Sequence, residues 1–402
     1  MSDMKIGILT FHSQLNYGGV LQCWALKTAL EKMRHEVVVI DRWPNADNSQ
    51  LERGYDKWGL RQWVKFWLRT VLGLGDDKGW LRVRRTKGFI RKRLNLTPYH
   101  FVEWKDAPQD LGVDLIIVGS DQVWHCGDWG DPRVYLLGGV SHVSAVAYAA
   151  SFGFASLPQF VNERRDDRTE ARHLYVAGMK RFAAISCREA EGVTLCEQLG
   201  ASATHVLDPT LLLDVSDWRP LVRMRRTGVR KRLTCYFLSV DILTALPELL
   251  RFVEADNVEI TVLLDSSLLS PLPTNVEKLR RWWRLLRYRW SNRLKVFDGA
   301  GPCEFVSAIA NADCVLSDSF HALMFSIAFE KNVRILKPQN EMRSKMFSRI
   351  TEIAGHMKGS VVAPDVTSAL DSFKRGETVS VDTDWLAGRR EQSLDFLRRN
   401  IG

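Results

Sequence analysis

Asp318, Ser319 and His321 bring a carboxylate, a hydroxyl and an imidazole into four consecutive positions of the chain. These are the parts of an acid–base site, and histidine is the side chain whose ordinary pKa lies nearest neutrality. The same residues have a second use. Asp318 and Ser319 are good helix N-caps, and a histidine in a first helical turn can simply be hydrogen-bonded there. Local pattern leaves both uses open. Arg188 is a second candidate: its guanidinium can hold a carboxylate or phosphate in a bidentate way, or it can pair with Glu189 or another acid. Three small, polar stretches complete the set: Asn16-Tyr17-Gly18-Gly19, Gly119-Ser120-Asp121-Gln122-Val123-Trp124 and Ser151-Phe152-Gly153. Glycines of this kind can let backbone amides approach a phosphate. G-x-G-x-x-G is absent, however, and a tight turn explains them equally well.

Each candidate follows a short apolar run that reads as a strand. Cys314 to Leu316 precedes Asp318, and an apolar helix from Phe320 to Phe329 follows it, then a strand from Val333 to Leu336. Lys5 to Thr10, Val37 to Ile40, Leu115 to Val118, Val143 to Ala150 and Ala183 to Cys187 read as strands. A helix from Val20 to Arg34 follows the first glycine turn. After Asp208-Pro209-Thr210 the alternation restarts with Leu233 to Leu238, a helix from Ile242 to Val253, and Glu259 to Leu264. Ligands in open α/β sheets bind at the carboxyl ends of strands, near helix N-termini. The expected fold is therefore α/β, with two Rossmann-like domains facing a central cleft. The expected domains are residues 1–207, with a basic, Trp-rich helical insertion at about 51–99, and residues 208–380. A final helix over 381–402 is expected to pack back toward the first domain.

The chain has 402 residues, enough for two to three domains at about 150 residues each. Its net charge of +9 admits nucleic acid, an anionic substrate or an anionic membrane surface as partner. The positive charge concentrates in two segments. Leu51 to Tyr99 carries Arg61, Lys65, Arg69, Arg82, Arg84, Arg85, Lys87, Arg91, Lys92 and Arg93 among Trp58, Trp63, Phe66, Trp67 and Trp80; Leu279 to Arg293 interleaves six arginines with Trp282, Trp283, Tyr288 and Trp290. No nucleic-acid motif accompanies them, and an amphipathic, interfacial helix suits their composition, as does a solvated face over inward-turned tryptophans. No apolar run approaches the ~20 residues of a membrane span, and Met1 to Lys5 runs straight into a strand, so a cytoplasmic protein is expected. Seven cysteines lack C-x-x-C spacing and read as reduced, buried thiols rather than metal ligands.

Taken together, the motifs resemble the polysaccharide pyruvyl transferase family. The matching pieces are Asn16 to Leu26, Gly119 to Trp124, Tyr148 to Gly153, Ser186 to Gly192, Leu207 to Leu213 and Ser317 to Ser326. The resemblance implies a GT-B-like architecture. It also implies transfer of the pyruvyl skeleton of phosphoenolpyruvate onto a saccharide as a cyclic ketal, with loss of phosphate and no cofactor. By motif, Arg188 would bind the donor and His321 would be the acid–base residue, with Asp318 orienting it and Asp121 a further candidate for activating a hydroxyl. Some members carry arginine where this chain has Ser319, so a donor-anion contact would be missing or would come from elsewhere, from Arg343 or Arg349. Asn16, Tyr17, Gly18, Ser120, Gln122, Trp124 and Ser151 are the expected acceptor contacts. A lipid-linked saccharide acceptor would suit a protein docked on the inner face of the cell membrane. Two alternatives stay open: a GT-B glycosyltransferase using a nucleotide sugar, and a non-catalytic saccharide- or membrane-binding relative.

Overall fold

The computed structural model describes residues 4–13, 16–43, 59–61, 64, 79–125, 132–138, 140, 142–153, 168–225, 230–264, 293–297, 299–338 and 347–401. The chain divides into two compact units: Met1–Leu51 with Gly88–Ser216 and Thr383–Gly402, and Glu52–Lys87 with Asp217–Asp382.

The first unit is built on seven parallel strands: β1 (Lys5–Leu9), β2 (Glu36–Arg42), β3 (Leu96–Phe101), β4 (Leu115–Val118), β5 (Ser144–Ala150), β6 (Ala184–Cys187) and β7 (Thr204–His205). Their order is β3-β2-β1-β4-β5-β6-β7, so the sheet reverses direction between β1 and β4. Every residue of β4, Leu-Ile-Ile-Val, is buried, as expected of a parallel strand covered on both faces. Helix α1 (Tyr17–Lys32) starts earlier than its apolar spacing suggests. Asn16 is its N-cap, with Oδ1 accepting from Gly18 N at 3.0 Å, so Tyr17, Gly18 and Gly19 are its first turn and not a free loop.

Helix α2 (Gly79–Arg93) corrects part of the reading of the first basic segment. Its residues up to Lys87 group with the second unit: Arg85 donates to Gly299 O at 2.7 Å and pairs with Glu304 at 3.5 Å. The segment's end is not helix at all, because Leu96–Phe101 pairs with β2 as a sheet strand. Trp58, Trp63, Lys65, Phe66, Trp67 and Arg69 lie outside the described residues, as does the second basic segment except Arg293. Helices α3 (Arg168–Met179) and α4 (Ala190–Gln198) complete the crossovers of the first unit.

The second unit repeats the plan. Strands β8 (Lys231–Tyr236), β9 (Val258–Leu263), β10 (Leu294–Phe297), β11 (Cys314–Ser317) and β12 (Asn332–Leu336) pair in parallel, while β13 (Met357–Lys358) lies outside this sheet and β14 (Val362–Ala363) joins its edge. The sheet order β10-β9-β8-β11-β12-β14 places the reversal between β8 and β11. A separate antiparallel pair joins β13 to β15 (Ser380–Val381). Helices α5 (Ile242–Ala255), α6 (Pro302–Ala310), α7 (Phe320–Ala328), α8 (Ser348–Ala354) and α9 (Val366–Lys374) surround the sheet. Every residue of helix α7 but His321 is buried, which accounts for its apolar composition: Phe325 meets Trp218 edge-on at 4.8 Å and Phe305 at 5.8 Å. The last helix, α10 (Thr383–Asn400), belongs to the first unit. There Ser393 Oγ accepts from Leu207 N (2.9 Å), and Arg389 and Arg390 donate to the carbonyls of His205 (3.0 Å) and Leu211 (2.7 Å).

Candidate active site

In the second unit, the turn after β11 lies at the switch point of its sheet. Ser317 Oγ bonds the Tyr236 carbonyl of the neighbouring strand and accepts from Ser319 N at 3.1 Å. Ser319 has extended backbone angles and is the N-cap of α7, its Oγ accepting from Ala322 N at 3.5 Å. Asp318 is not the cap of that helix. Its buried carboxylate accepts from the backbone of Leu238 (2.5 Å), Ser239 (2.6 Å) and Val240 (3.2 Å), and from Ser239 Oγ (2.5 Å). A carboxylate takes several N–H donors readily because each such bond is charge-assisted. Asp318 therefore ties the β8–α5 loop to the turn that carries the histidine.

His321 stands in the first turn of α7, half-buried, with its ring edge-on to Phe320 at 5.4 Å. Arg349, from α8, places its guanidinium carbon 5.3 Å from the centroid of the same Phe320 ring. A half-buried imidazole, a cation and the first backbone N–H groups of a helix thus share one end of the sheet. Such a set can move a proton and hold an anion. Arg343 lies outside the described residues.

In the first unit, the small, polar stretches named above converge on the carboxyl ends of β1, β4, β5 and β6, and their centre is an ion cluster. Arg188 is 5% exposed; Nε donates to Glu189 Oε1 (3.0 Å), Nη1 to Asp208 Oδ2 (3.1 Å), and Nη2 lies 4.0 Å from Asp121 Oδ1. Burial alone would push the guanidinium pKa down, but Glu189, Asp208 and Asp121 outweigh it and hold the group above its ordinary value. Of the two sequence readings of Arg188, the structure builds the salt bridge. Ser151 Oγ donates to Glu189 Oε1 (2.9 Å), Ser120 Oγ to Asp208 Oδ2 (3.5 Å), and Asp208 Oδ1 accepts from Thr210 N and Oγ1. Thr10 Oγ1 donates to Ser120 O at 2.6 Å, and Gln22 Nε2 donates to Thr10 Oγ1 at 3.0 Å.

Two glycines are required by this packing. A Cβ on Gly119, at φ +116°, would lie 2.3 Å from Tyr148 O; one on Gly19 would lie 3.0 Å from Asp121 Oδ2. Several expected acceptor contacts are interior instead. Tyr17, Ser120, Trp124 and Ser151 are all buried, with the Trp124 ring against Phe152 (5.2 Å) and Phe182 (5.8 Å). Gly18 is buried too, so Asn16 and the half-buried Gln122 are the members of that set that meet solvent. Glu189 and Asp208 were not among the expected site residues. Each follows a strand end and lies inside a motif, Ser186 to Gly192 and Leu207 to Leu213, which was the available signal.

Two units of parallel β-sheet with the order reversal of the Rossmann fold, each with polar side chains gathered at its switch point, define an α/β protein of GT-B-like architecture. The family model described as polysaccharide pyruvyl transferase matches residues 16–340, and the chain belongs to that family, a family of transferases of polysaccharide modification. No curated protein matches the chain. Among solved structures, a Listeria monocytogenes protein assigned as a UDP-N-acetylglucosamine 2-epimerase aligns with 10% identity over 94% of this chain and 89% of its own, at a TM-score of 0.51. The UDP-GlcNAc 2-epimerase of Methanocaldococcus jannaschii, solved with UDP-GlcNAc and UDP, aligns at 11% identity, 93% and 92% coverage and 0.49. A glycosyltransferase from Streptomyces nogalater aligns at 11%, 98% and 96%, and 0.40. At such identities the first of these speaks to the fold alone.

Proposed function

We propose that the protein transfers the pyruvyl group of phosphoenolpyruvate to a saccharide as a cyclic ketal during assembly of a cell-surface polysaccharide. The observation that carries this reading is the position of His321, in the first turn of α7 at the switch point of its sheet, with Arg349 on the adjoining Phe320 ring. In this reaction the methylene carbon of the donor takes a proton and becomes a methyl group. Two saccharide oxygens bond to the neighbouring carbon, the C–O bond to phosphate breaks, and the second hydroxyl proton leaves with phosphate. His321 delivers the proton to the methylene carbon and recovers one from an attacking hydroxyl. Arg349 and the N-terminal amides of α7 balance the donor's carboxylate and phosphate. Arg188 and its three acids act as a rigid, buried brace of the first unit.

A membrane-bound, lipid-linked acceptor fits the composition. Two Arg/Trp-rich segments lie in a chain whose described helices include none long and apolar enough to cross a bilayer, and Leu60 and Val64 are exposed within the first segment. Flotation with anionic vesicles that weakens as salt rises supports this docking; equal, negligible flotation with neutral and anionic vesicles removes it.

The deciding experiment for the reaction is a thermal-shift comparison of phosphoenolpyruvate with nucleotide sugars, followed by phosphate release in the presence of acceptor saccharides. A donor at 100 times its dissociation constant adds about 2.7 kcal/mol of stability. Stabilisation by phosphoenolpyruvate with acceptor-dependent phosphate release is expected. Stabilisation by a nucleotide sugar alone would instead favour glycosyl transfer, and binding of saccharide without turnover of either donor a non-catalytic role.

A further inference from the structure

The carboxyl end of β2 carries a polar and aromatic group that the proposed chemistry leaves unused. His12, 1% exposed, donates from Nε2 to Asp41 Oδ1 at 2.9 Å, and the indole N–H of Trp43 donates to the same oxygen at 2.7 Å. Among the described residues both side-chain bonds fall on Oδ1, so Oδ2 keeps its accepting capacity, on a carboxylate 15% exposed. Arg42 lies between the two and points the other way, as alternation along a strand requires. It is buried, donating to Val102 O (3.1 Å) and to the Tyr135 hydroxyl (3.2 Å), with its guanidinium over the Tyr135 ring. The backbone of Trp43 still pairs with Phe101 O at 2.9 Å. The strand end is thereby fixed on its inner side, while a half-buried indole and an oriented carboxylate are held at its outer side.

We propose that Asp41 and Trp43 form a subsite for one ring of the acceptor saccharide. This rests on the reading that the protein acts on a saccharide. An indole face packs against the C–H face of a pyranose ring, and a carboxylate oxygen with open lone pairs accepts one or two ring hydroxyls. His12 is the positioning residue: a buried donor that sets which oxygen faces outward. An acid at this strand end takes ribose hydroxyls in dinucleotide-binding folds. Here the turn after β1 lacks the glycine pattern that brings a pyrophosphate close, which favours a saccharide over a nucleotide.

The test is saturation-transfer NMR with methyl glycosides, in both anomers, of glucose, galactose, mannose and N-acetylglucosamine, with adenosine monophosphate as the competing ligand. At least one glycoside is expected to receive saturation from the wild-type protein. That signal is expected to fall fivefold or more in Trp43→Ala and Asp41→Asn and to survive in Trp43→Phe, which keeps the aromatic face. Melting curves show which variants are folded; if Asp41→Asn is not, the contrast between Trp43→Ala and Trp43→Phe decides. The proposal is overturned by no glycoside signal in the wild type, by unchanged signals in Trp43→Ala, or by contact with adenosine monophosphate alone. Thermal shift with phosphoenolpyruvate is run on the same samples. Loss of donor binding with glycoside binding intact counts against the pyruvyl-transfer reading and leaves this subsite standing.

Discussion

His321 and Asp318 are three positions apart and give opposite mutational signatures. His321→Ala removes the proton carrier, so turnover should fall by roughly 100-fold or more while the fold and donor affinity change little. Phosphate-release kinetics alongside melting curves measure this, and a fully active, folded variant would end the assignment. Asp318→Asn keeps the size but replaces one acceptor oxygen with a donor facing backbone N–H groups, so stability should drop by about 1–3 kcal/mol. Because the carboxylate holds the 238–240 loop, the KM for the donor should rise while the pH profile of kcat keeps its shape. A shifted pH profile would instead make Asp318 the histidine's partner. Arg188 gives a third signature. Arg188→Met leaves Asp121, Glu189 and Asp208 buried without their counter-ion and should cost about 3–5 kcal/mol by denaturant titration. Near-wild-type stability with a weakened donor KM would restore Arg188 to the donor site. The sequence marked these residues by type and position after a strand. Which way each carboxylate or guanidinium turns depends on partners as far as 80 positions away, as with Leu238 and Asp318, and no local pattern encodes that.

At the scale of elements, most strands and helices were legible because parallel strands buried on both faces read as short apolar runs, and their ends fell within a few residues. The misses have physical causes. The start of α1 was placed late because Gly18 and Gly19 read as a loop, whereas the Asn16 cap and the close approach of Gly19 to Asp121 make them helical. Trp124 read as an acceptor contact, but its neighbours Phe152 and Phe182 come from distant parts of the chain and close over it. Two predictions belong here. Ser319→Ala removes the N-cap of α7 and should cost about 1 kcal/mol. β7 adds a pH dependence. Burial, and then the charge of Arg389, push the His205 pKa below its ordinary value. The native state therefore binds fewer protons than the unfolded chain once pH falls toward and below about 6.5, so this stabilisation is full above that pH and lost as pH drops. Melting temperatures between pH 8 and 5 should fall less steeply for His205→Gln than for the wild type.

At the scale of the molecule, one strand plan occurs twice: each sheet runs outward from its first strand, returns to it, and continues on the other side. The candidate sites divide along the same line. The proton-moving candidate lies on the second unit, and the oriented Asp41–Trp43 pair on the first. The two-unit plan was legible from the alternation of apolar runs. The membership of Glu52–Lys87 was not, because it depends on Arg85 reaching Gly299 and Glu304 more than 200 positions later.

The first unit is finished by the helix that the ribosome delivers after the whole of the second. Ser393, Arg389 and Arg390 satisfy backbone groups of residues 205–211 that have no such partner while Asp217–Asp382 is being made. At about 5–20 residues per second, synthesis of that stretch takes on the order of 10–30 s. For that time the nascent first unit waits without these bonds to residues 205–211. Completion of the first unit is thus tied to residues that are synthesised only after the whole of Asp217–Asp382.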